Sequence, residues 1–201
     1  MEPETFVQRS LADFLDRVGS DQPTPGGGSV AALTGALAAS LGRKVTALTL
    51  GKPAFAAVES QVQTIANRLL RAQQALCALI DEDAAAYGQL HAALRLHRAD
   101  PQRAEQVAGA ARLAASVPLE TATLAAAVLV DLSRLRDIGN PRLRSDVDAA
   151  RHLAHAALQA AAANVRANLP LMSAENQRLV AEQLDRLVAG SEPSGDPPTG
   201  R

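Results

Sequence analysis

Residues 24–33 read Thr24-Pro25-Gly26-Gly27-Gly28-Ser29-Val30-Ala31-Ala32-Leu33, with three consecutive glycines between a proline-containing turn and a long Ala/Leu segment. Glycine permits close approach of another group to the backbone, and Ser29 is a good N-cap for a helix that begins there. The free N–H groups of the first helical turn, at the positive end of the helix dipole, suit a carboxylate or a phosphate. A tight turn that lets two helices pack closely is the alternative, and the three glycines alone favour it. A nucleotide site is disfavoured, because no strand precedes the stretch and no Lys-Ser/Thr ending follows it.

The segments on either side of this turn predict an all-α fold, an antiparallel bundle of long Ala/Leu-rich helices with no strand. Apolar residues recur at helical spacing, and prolines and glycines mark the ends of the segments. In the first segment the apolar residues form one face, and Thr5 and Gln8 have capping-box spacing. The predicted helices cover residues 5–18, 29–49, 55–98, a fourth that begins at Asp100-Pro101 and is broken or kinked at Pro118, 119–136, one that Ser145 caps and Pro170 ends, and 173–188.

Composition limits the class of protein. The chain has 201 residues, enough for one domain with a sizeable core, and only 2% are aromatic, so Ala, Leu and Val must form that core. A net charge of −1 argues against nucleic acid. The single cysteine, Cys77, excludes an internal disulfide and lies among apolar residues. We expect a cytoplasmic protein without a membrane span, folded over residues 1–189, with a disordered Pro/Gly/Ser-rich tail over residues 190–201.

One carboxylate interrupts an apolar seam in the third predicted helix. Ten positions there alternate steps of four and three, and Asp83 is the one charged residue among them. A carboxylate in such a seam must be paired, hydrogen-bonded or neutralised. Asp83 is therefore the first candidate catalytic residue, with a structural hydrogen bond to a neighbouring helix as the alternative. The seam consists of Val58, Val62, Ile65, Leu69, Ala72, Leu76, Leu79, Asp83, Ala86 and Leu90.

Polar residues also lie on one stripe of the sixth predicted helix. Asp146 stands at its start, and Asn164 and Asn168 are neighbours at i,i+4 near its end. Because Asp146 and Asn164 are about 27 Å apart at helical rise, one small site in one subunit cannot easily use both. His152 and His155 lie three residues apart, but no Glu-x-x-His pattern accompanies them, so we expect no metal site.

Several of these stretches occur together in a fixed order that resembles the cyclodeaminase/cyclohydrolase family, over residues 6–187. That family comprises the C-terminal domain of formiminotransferase-cyclodeaminase and free-standing bacterial methenyltetrahydrofolate cyclohydrolases. No formiminotransferase domain precedes the match, so we expect the free-standing form. The stretches are residues 24–33, Leu48-Thr49-Leu50-Gly51-Lys52, Ile80-Asp81-Glu82-Asp83-Ala84-Ala85-Ala86-Tyr87, Val117-Pro118-Leu119, Gly139-Asn140, Ser145-Asp146-Val147 and Asn164-Val165-Arg166-Ala167-Asn168-Leu169.

The resemblance implies an all-helical homodimer that acts on a tetrahydrofolate derivative, with no tightly bound cofactor and no metal. The implied reaction is hydrolysis of 5,10-methenyltetrahydrofolate to 10-formyltetrahydrofolate, or ring closure of 5-formiminotetrahydrofolate with release of ammonia. Either reaction needs a proton moved at a nitrogen or a water, which suits a carboxylate of raised pKa. A helical module that binds folate or a protein partner without turnover is the alternative of another class.

The resemblance also suggests roles for individual residues. Asp83 is the expected acid/base, or orients the pterin, and Asp146 is the second catalytic candidate. The remaining candidates bind substrate. The turn of Gly26, Gly27, Gly28 and Ser29, with Lys52, is expected to receive the glutamate carboxylates of folate, and Asn140, Ser145 and Asn164 are expected to hydrogen-bond the pterin or hold helix ends.

Two positions depart from the family pattern. Lys44-Val45 stands where a Met-Val pair is frequent, and Leu96-His97-Arg98 stands where a Leu-Pro-Lys turn is frequent. The charge of Lys44 either borders the site or points to solvent. These departures bear on substrate preference and activity rather than on the fold.

Overall fold

A computed structural model describes residues 5–191, and within that range every regular element is a helix. The all-α prediction is therefore confirmed. Four short 3-10 turns accompany six α-helices. The α-helices are α1 (Leu11–Val18), α2 (Gly27–Ala47), α3 (Glu59–Leu94), α4 (Arg103–Ile138), α5 (Arg144–Asn168) and α6 (Ala174–Ala189).

Helices α2 to α5 form an antiparallel four-helix bundle. Each packs along its neighbour in the chain, and α5 closes the ring against α2. The ion pair of Lys44 with Asp146, and the contact of Gly27 with Asn164, show that α2 and α5 run in opposite directions. Helix α2 also contacts α4 across the bundle. This central position explains why α2 is apolar nearly all round.

Glycines on α2 admit side chains of α3 at heptad spacing. A Cβ added at Gly42 would meet Leu69 at 2.9 Å, and one added at Gly35 would meet Leu76 at 3.1 Å. Seven residues before Gly35, a Cβ added at Gly28 would meet Asp83. The three α3 residues are seven apart, and so are the three glycines. Asp83 therefore occupies the register position that leucines occupy in the previous two heptads.

The predicted seam of α3 is confirmed as a core face. Small alanines of α2, α4 and α5 pack against it, which brings the helix axes close together without aromatic residues. Nearly all the apolar seam positions are buried, and they are Val62, Ile65, Leu69, Ala72, Leu76, Leu79, Ala86 and Leu90.

The break predicted at Pro118 is wrong, because α4 continues through it from Arg103 to Ile138. A proline inside a helix removes the hydrogen bond to the carbonyl four residues earlier, here Ala114. In this fold the side-chain amide of Asn168 on α5 donates to the Ala114 carbonyl at 3.0 Å. Tertiary packing thus replaces the missing backbone donor, and one helix stands where two were predicted.

The N-terminal helix is shorter than predicted. The chain forms a 3-10 turn at Phe6–Gln8, and α1 begins only at Leu11, with the Ser10 hydroxyl accepting from the Asp13 N–H. The Phe6 N–H is held by the Asp81 carboxylate at 2.7 Å. Of the apolar face predicted for this segment, which comprises Val7, Leu11, Phe14, Leu15 and Val18, the structure buries Phe14 alone.

Two further helix starts were predicted, one wrongly and one correctly. Helix α5 begins at Arg144, so Ser145 lies inside the helix and does not cap it. Helix α6 begins at Ala174 with Ser173 at its N-cap position, as expected. Leu184 of α6 is buried, whereas Leu179 is exposed. Of the predicted tail, Gly190 and Ser191 form a turn after α6, and residues 192–201 lie outside the described residues.

Within residues 5–191, α4 is long and apolar enough to cross a membrane by length and composition. Half of its apolar window is buried inside the molecule, and a core helix of a bundle passes the same test. Because α4 packs along both α3 and α5, the bundle core accounts for the buried half of this window.

Candidate active site

The N-terminus of α2 meets α3, α4 and α5 around a small cavity of about 160 Å³. The glycine turn forms one wall, and polar side chains of α3 and α5 form the facing walls. We call this the glycine-turn cavity. It is lined by Pro23, Thr24, Gly26, Gly27, Gly28, Asp83, Tyr87, Ala114, Asn164 and Asn168.

Asp83 enters this cavity through a notch that Gly28 leaves open. A Cβ added at Gly28 would lie 2.0 Å from Asp83 Oδ1 and 2.5 Å from its Cγ, closer than atoms can approach. The backbone of Gly28 does not have a positive φ. Gly28 is therefore needed for the close approach of the carboxyl group rather than for an unusual backbone conformation.

Ser29 holds the carboxyl group from the same helix. Its hydroxyl is fully buried, 2.8 Å from the Ile80 carbonyl and 3.1 Å from Asp83 Oδ2. The predicted N-cap role of Ser29 is wrong, since α2 begins at Gly27 with Gly26 as its cap residue. The one Ser29 proton serves only one acceptor at a time. A protonated Asp83 donating to Ser29 Oγ, while Ser29 donates to Ile80, satisfies all three groups.

Burial raises the pKa of Asp83, and this effect outweighs the hydrogen bonds from the side chain and backbone of Ser29, which lower it. Desolvation disfavours the charged form of a carboxyl group. Cys77 on the same helix also has a raised pKa because it is partly buried. Asp83 is the carboxyl group at the cavity whose pKa is shifted toward the range useful for acid/base chemistry.

Two asparagines of α5 form the wall opposite the glycines. A Cβ added at Gly27 would lie 3.1 Å from the Asn164 amide nitrogen, so this backbone passes directly against the side chain. The Asn164 amide donates to the Ala160 carbonyl at 2.8 Å. Asn168 stands one turn later and donates to the carbonyls of Ala114 and Asn164. The cavity therefore combines backbone N–H groups of α2 with side-chain groups of α3 and α5.

The structure does not bring Asp146 into this cavity. Asp146 lies near the opposite end of α2, and its carboxylate accepts from Lys44 Nζ at 2.9 Å. Lys44 is more than half exposed, so the charge that departs from the family pattern forms a surface ion pair with Asp146. The 21-residue length of α2 places the two ends about 30 Å apart. The catalytic role of Asp146 stays a prediction.

Three predicted binding residues also lie at that opposite end. Lys52 was expected to act with the glycine turn, but it is exposed beyond the opposite end of α2. Asn140 caps a 3-10 turn and donates through its side chain to the Leu48 carbonyl at 3.3 Å. Ser145 is exposed in the first turn of α5. Of the predicted site residues, the structure thus gathers Asp83, Asn164, Ser29 and the three glycines at the glycine-turn cavity.

The cavity also contains residues that were not predicted as site residues. Tyr87 lies four residues after Asp83. This i,i+4 spacing on α3 is the sequence signal that could have identified Tyr87 as a site residue. Its ring stacks on His91 with the centroids 6.1 Å apart. Asn168 was noted on the stripe of α5, but its contact with Ala114 depends on the packing of two helices. Pro23 and Thr24 line the cavity from the turn before α2. This turn has no helical periodicity that could have indicated a role for them in the site.

A larger depression of about 490 Å³ lies elsewhere, between α2 and α3 toward the end of α2. It is an open groove, and Arg43 in it donates to Gln73. We place the site at the smaller cavity, because there a partly desolvated carboxyl group faces several polar groups. Within residues 5–191, no three His, Cys, Asp or Glu side chains are grouped to hold a metal ion.

Comparison with known proteins agrees with this architecture. The family profile described as formiminotransferase-cyclodeaminase matches residues 10–186. The methenyltetrahydrofolate cyclohydrolase of Methylorubrum extorquens is 32% identical over 164 residues, covering 79% of this chain and 78% of the relative. The formimidoyltransferase-cyclodeaminase of Gallus gallus is 29% identical over 94% of this chain, which spans 37% of that protein.

A solved structure shows the same fold. The formiminotetrahydrofolate cyclodeaminase of Thermotoga maritima superposes with a TM-score of 0.85 at 31% identity, covering 92% of this chain and 91% of that one. The profile spans nearly the whole described bundle, including every residue of the glycine-turn cavity. The chain therefore belongs to the formiminotransferase-cyclodeaminase family.

Proposed function

We propose that this protein is a folate one-carbon enzyme that hydrolyses 5,10-methenyltetrahydrofolate to 10-formyltetrahydrofolate. The observation that carries the proposal is Asp83, a carboxyl group with a raised pKa, held by Ser29 at the wall of a polar cavity. The relative from Methylorubrum extorquens, which this chain matches over most of its length, bears the name of that activity. Ring closure of 5-formiminotetrahydrofolate is the second candidate, because the Thermotoga maritima structure bears that name.

Both reactions pass through a tetrahedral carbon between N5 and N10, and Asp83 serves each by moving one proton. In the hydrolysis, water adds to the methenyl carbon and gives a proton to the Asp83 carboxylate. As the bond from this carbon to N5 breaks, the protonated Asp83 returns a proton to N5, and a second proton leaves to solvent as the formyl group forms. A pKa nearer to working pH suits a group that must both accept and donate.

The cyclodeaminase reaction uses the same group first as an acid. N10 attacks the formimino carbon and loses its hydrogen, which passes to the former imino nitrogen. One further proton on this nitrogen lets it leave as ammonia while the methenyl cation forms. A neutral Asp83 supplies that proton without a change of oxidation state anywhere in the substrate. In both reactions Ser29 is a positioning residue, because its hydroxyl contacts Asp83 and is fully buried.

The experiment is absorbance at the methenyltetrahydrofolate band with purified protein in a weakly nucleophilic buffer. We expect the band to disappear faster than in buffer alone, and Asp83→Asn to slow this loss by at least about 100-fold. If wild-type protein leaves the band unchanged, appearance of the same band from 5-formiminotetrahydrofolate tests the second candidate. Folate binding with neither reaction would make the protein a non-catalytic binding module and would refute the proposal.

We further propose that the protein works as a homodimer in the cytoplasm, with tetrahydrofolate as the carrier of the reacting carbon and no tightly bound cofactor. The support for a dimer is α1, where Leu11 is 66% exposed and Leu15 is 57% exposed. Neighbouring apolar side chains on one helix face are typical of interaction surfaces. A monomer mass at micromolar concentration would contradict the dimer.

A further inference from the structure

Pro118 lies inside α4, where its ring nitrogen has no hydrogen to donate. The carbonyl of Ala114, four residues earlier, consequently has no partner within its own helix. Asn168 on α5 supplies the missing donor at 3.0 Å. Pro118 thus creates an acceptor at the edge of the glycine-turn cavity, and Asn168 is the side chain that occupies it.

The amide of Asn168 has a fixed orientation. Its Nδ2 carries two hydrogens, and the carbonyls of Ala114 and Asn164 accept them at 3.0 and 3.1 Å. A flipped amide would place Oδ1 against two carbonyl oxygens, so the network assigns nitrogen to this position. Both donors are then occupied by backbone, and Oδ1 is the group of Asn168 that remains for another partner.

Asn164 repeats the arrangement one turn earlier, with its Nδ2 donating to the Ala160 carbonyl. Among residues 5–191, the Oδ1 atom of neither asparagine accepts a hydrogen bond. Neither of these oxygens is fully buried. Both side chains line the glycine-turn cavity. The wall formed by α5 therefore offers two amide oxygens that are accessible from the cavity. Each belongs to an amide group whose nitrogen donates to backbone carbonyls.

Two carbonyl-type oxygens beside a carboxyl group repel an anion and attract N–H donors. At the wall formed by α5 and Asp83, this disfavours the glutamate carboxylates of folate. A reduced pterin has the complementary chemistry, because its pyrimidinone ring presents an amide N–H next to an exocyclic amino group. We infer that Asn168, with Asn164, binds the donor edge of the pterin ring, and that Pro118 positions Asn168 by freeing the Ala114 carbonyl. The inference rests on the proposed folate function.

The test separates recognition from stability with two substitutions and their combination. Asn168→Ala removes the acceptor and leaves the Ala114 carbonyl without a donor, so we expect a lower melting temperature and about a tenfold rise in KM for methenyltetrahydrofolate. Adding Pro118→Ala provides a backbone N–H for the Ala114 carbonyl. The double variant should therefore recover the melting temperature but keep the high KM. Asn67→Ala, on the exposed face of α3, is the matched control and should change neither.

A substrate analogue makes the test specific for the donor edge. Tetrahydrofolate with a methyl group in place of the 2-amino group should bind wild-type protein about tenfold more weakly than tetrahydrofolate in calorimetry. The double variant should distinguish the two ligands less than wild type does, because Asn164 is the amide acceptor that remains at the cavity. A double variant with wild-type KM, or one that distinguishes the two ligands as strongly as wild type, would overturn the inference.

The calorimetric arm also separates the inference from the proposed function. If wild-type protein binds tetrahydrofolate and discriminates against the analogue but turns over neither substrate, the inference stands and the enzymatic proposal fails. If wild-type protein turns over substrate but Asn168→Ala/Pro118→Ala does so with unchanged KM, the enzymatic proposal stands and the inference fails. Wild-type protein that does not bind tetrahydrofolate would overturn both.

Discussion

Gly28→Ala adds one methyl group where Asp83 lies. The new Cβ would fall 2.0 Å from Oδ1 and 2.7 Å from Oδ2, whereas real Cβ contacts stay beyond 3.0 Å. The carboxyl group must therefore retreat by about 1 Å, and it loses its hydrogen bond to Ser29. Displacement of a catalytic group by this distance costs about 100-fold in rate. We expect kcat to fall by that factor.

The same variant should remain folded, which makes the effect on rate informative. Alanine favours a helix over glycine by about 1 kcal/mol, and the backbone of Gly28 already has a negative φ. Crowding against Asp83 opposes this gain by about 1–3 kcal/mol. The free energy of unfolding should thus fall by about 2 kcal/mol at most, and the variant should remain folded.

The assay is the rate of loss of the methenyl absorbance band, with denaturant unfolding of the same samples. Gly109→Ala on α4 is the matched control, because an added Cβ there meets nothing within 4 Å. It should gain about 0.5–1 kcal/mol of stability at unchanged kcat. A folded Gly28→Ala variant with a rate within about twofold of wild type would show that the position of Asp83 does not control the reaction.

Four further substitutions test the titration of Asp83 and two ion pairs. Asp83 has a raised pKa in the folded state, so the folded protein binds its proton more tightly and loses stability as pH rises from the unfolded pKa through the folded one. The stability of Asp83→Asn relative to wild type should accordingly increase in thermal unfolding as pH rises above the unfolded pKa of about 4, and a constant difference would contradict the shift. Asp146→Asn breaks a partly exposed ion pair, so it should cost less than about 1 kcal/mol and less than about fivefold in kcat; a loss as large as that of Asp83→Asn would restore Asp146 as a catalytic residue. Arg68 forms a bidentate pair with the buried carboxylate of Asp131, so Arg68→Ala should cost about 2–3 kcal/mol in urea unfolding. Asp131→Ala should cost less, because Arg68 is half exposed and can turn to water; equal costs would argue against this asymmetry.

The sequence predicted the helices wherever a long apolar period was present. The seam of α3 is an example, since its steps of four and three are a local property of the chain and the buried face follows from them. The same reasoning isolated Asp83, because a charge in an apolar series is visible without any tertiary information. Residues 24–33 likewise indicated a close approach of another group to the backbone, and that group is the Asp83 carboxyl.

The failures lie where a distant residue changes the local outcome. Pro118 predicts a helix break, but the Asn168 amide satisfies the freed carbonyl from another helix. The apolar residues of α1 predict a buried face, yet the bundle leaves most of them uncovered. Ser29 and Ser145 both resemble N-caps, but neither stands at the start of its helix.

The residues of the site show the same division between local sequence patterns and contacts made by distant residues. Most of the helices, the family resemblance and the candidate side chains follow from the sequence, because periodicity and residue type are local properties. Which of the candidates meet depends on the tertiary structure, since α2 separates Asp83, Asn164 and the glycines from Asp146, Asn140 and Lys52 by its full length of 21 residues. Helical rise sets that distance, whereas helix packing decides which residues of α3 and α5 lie at each end. That packing depends on side-chain volume at every contact rather than on any motif.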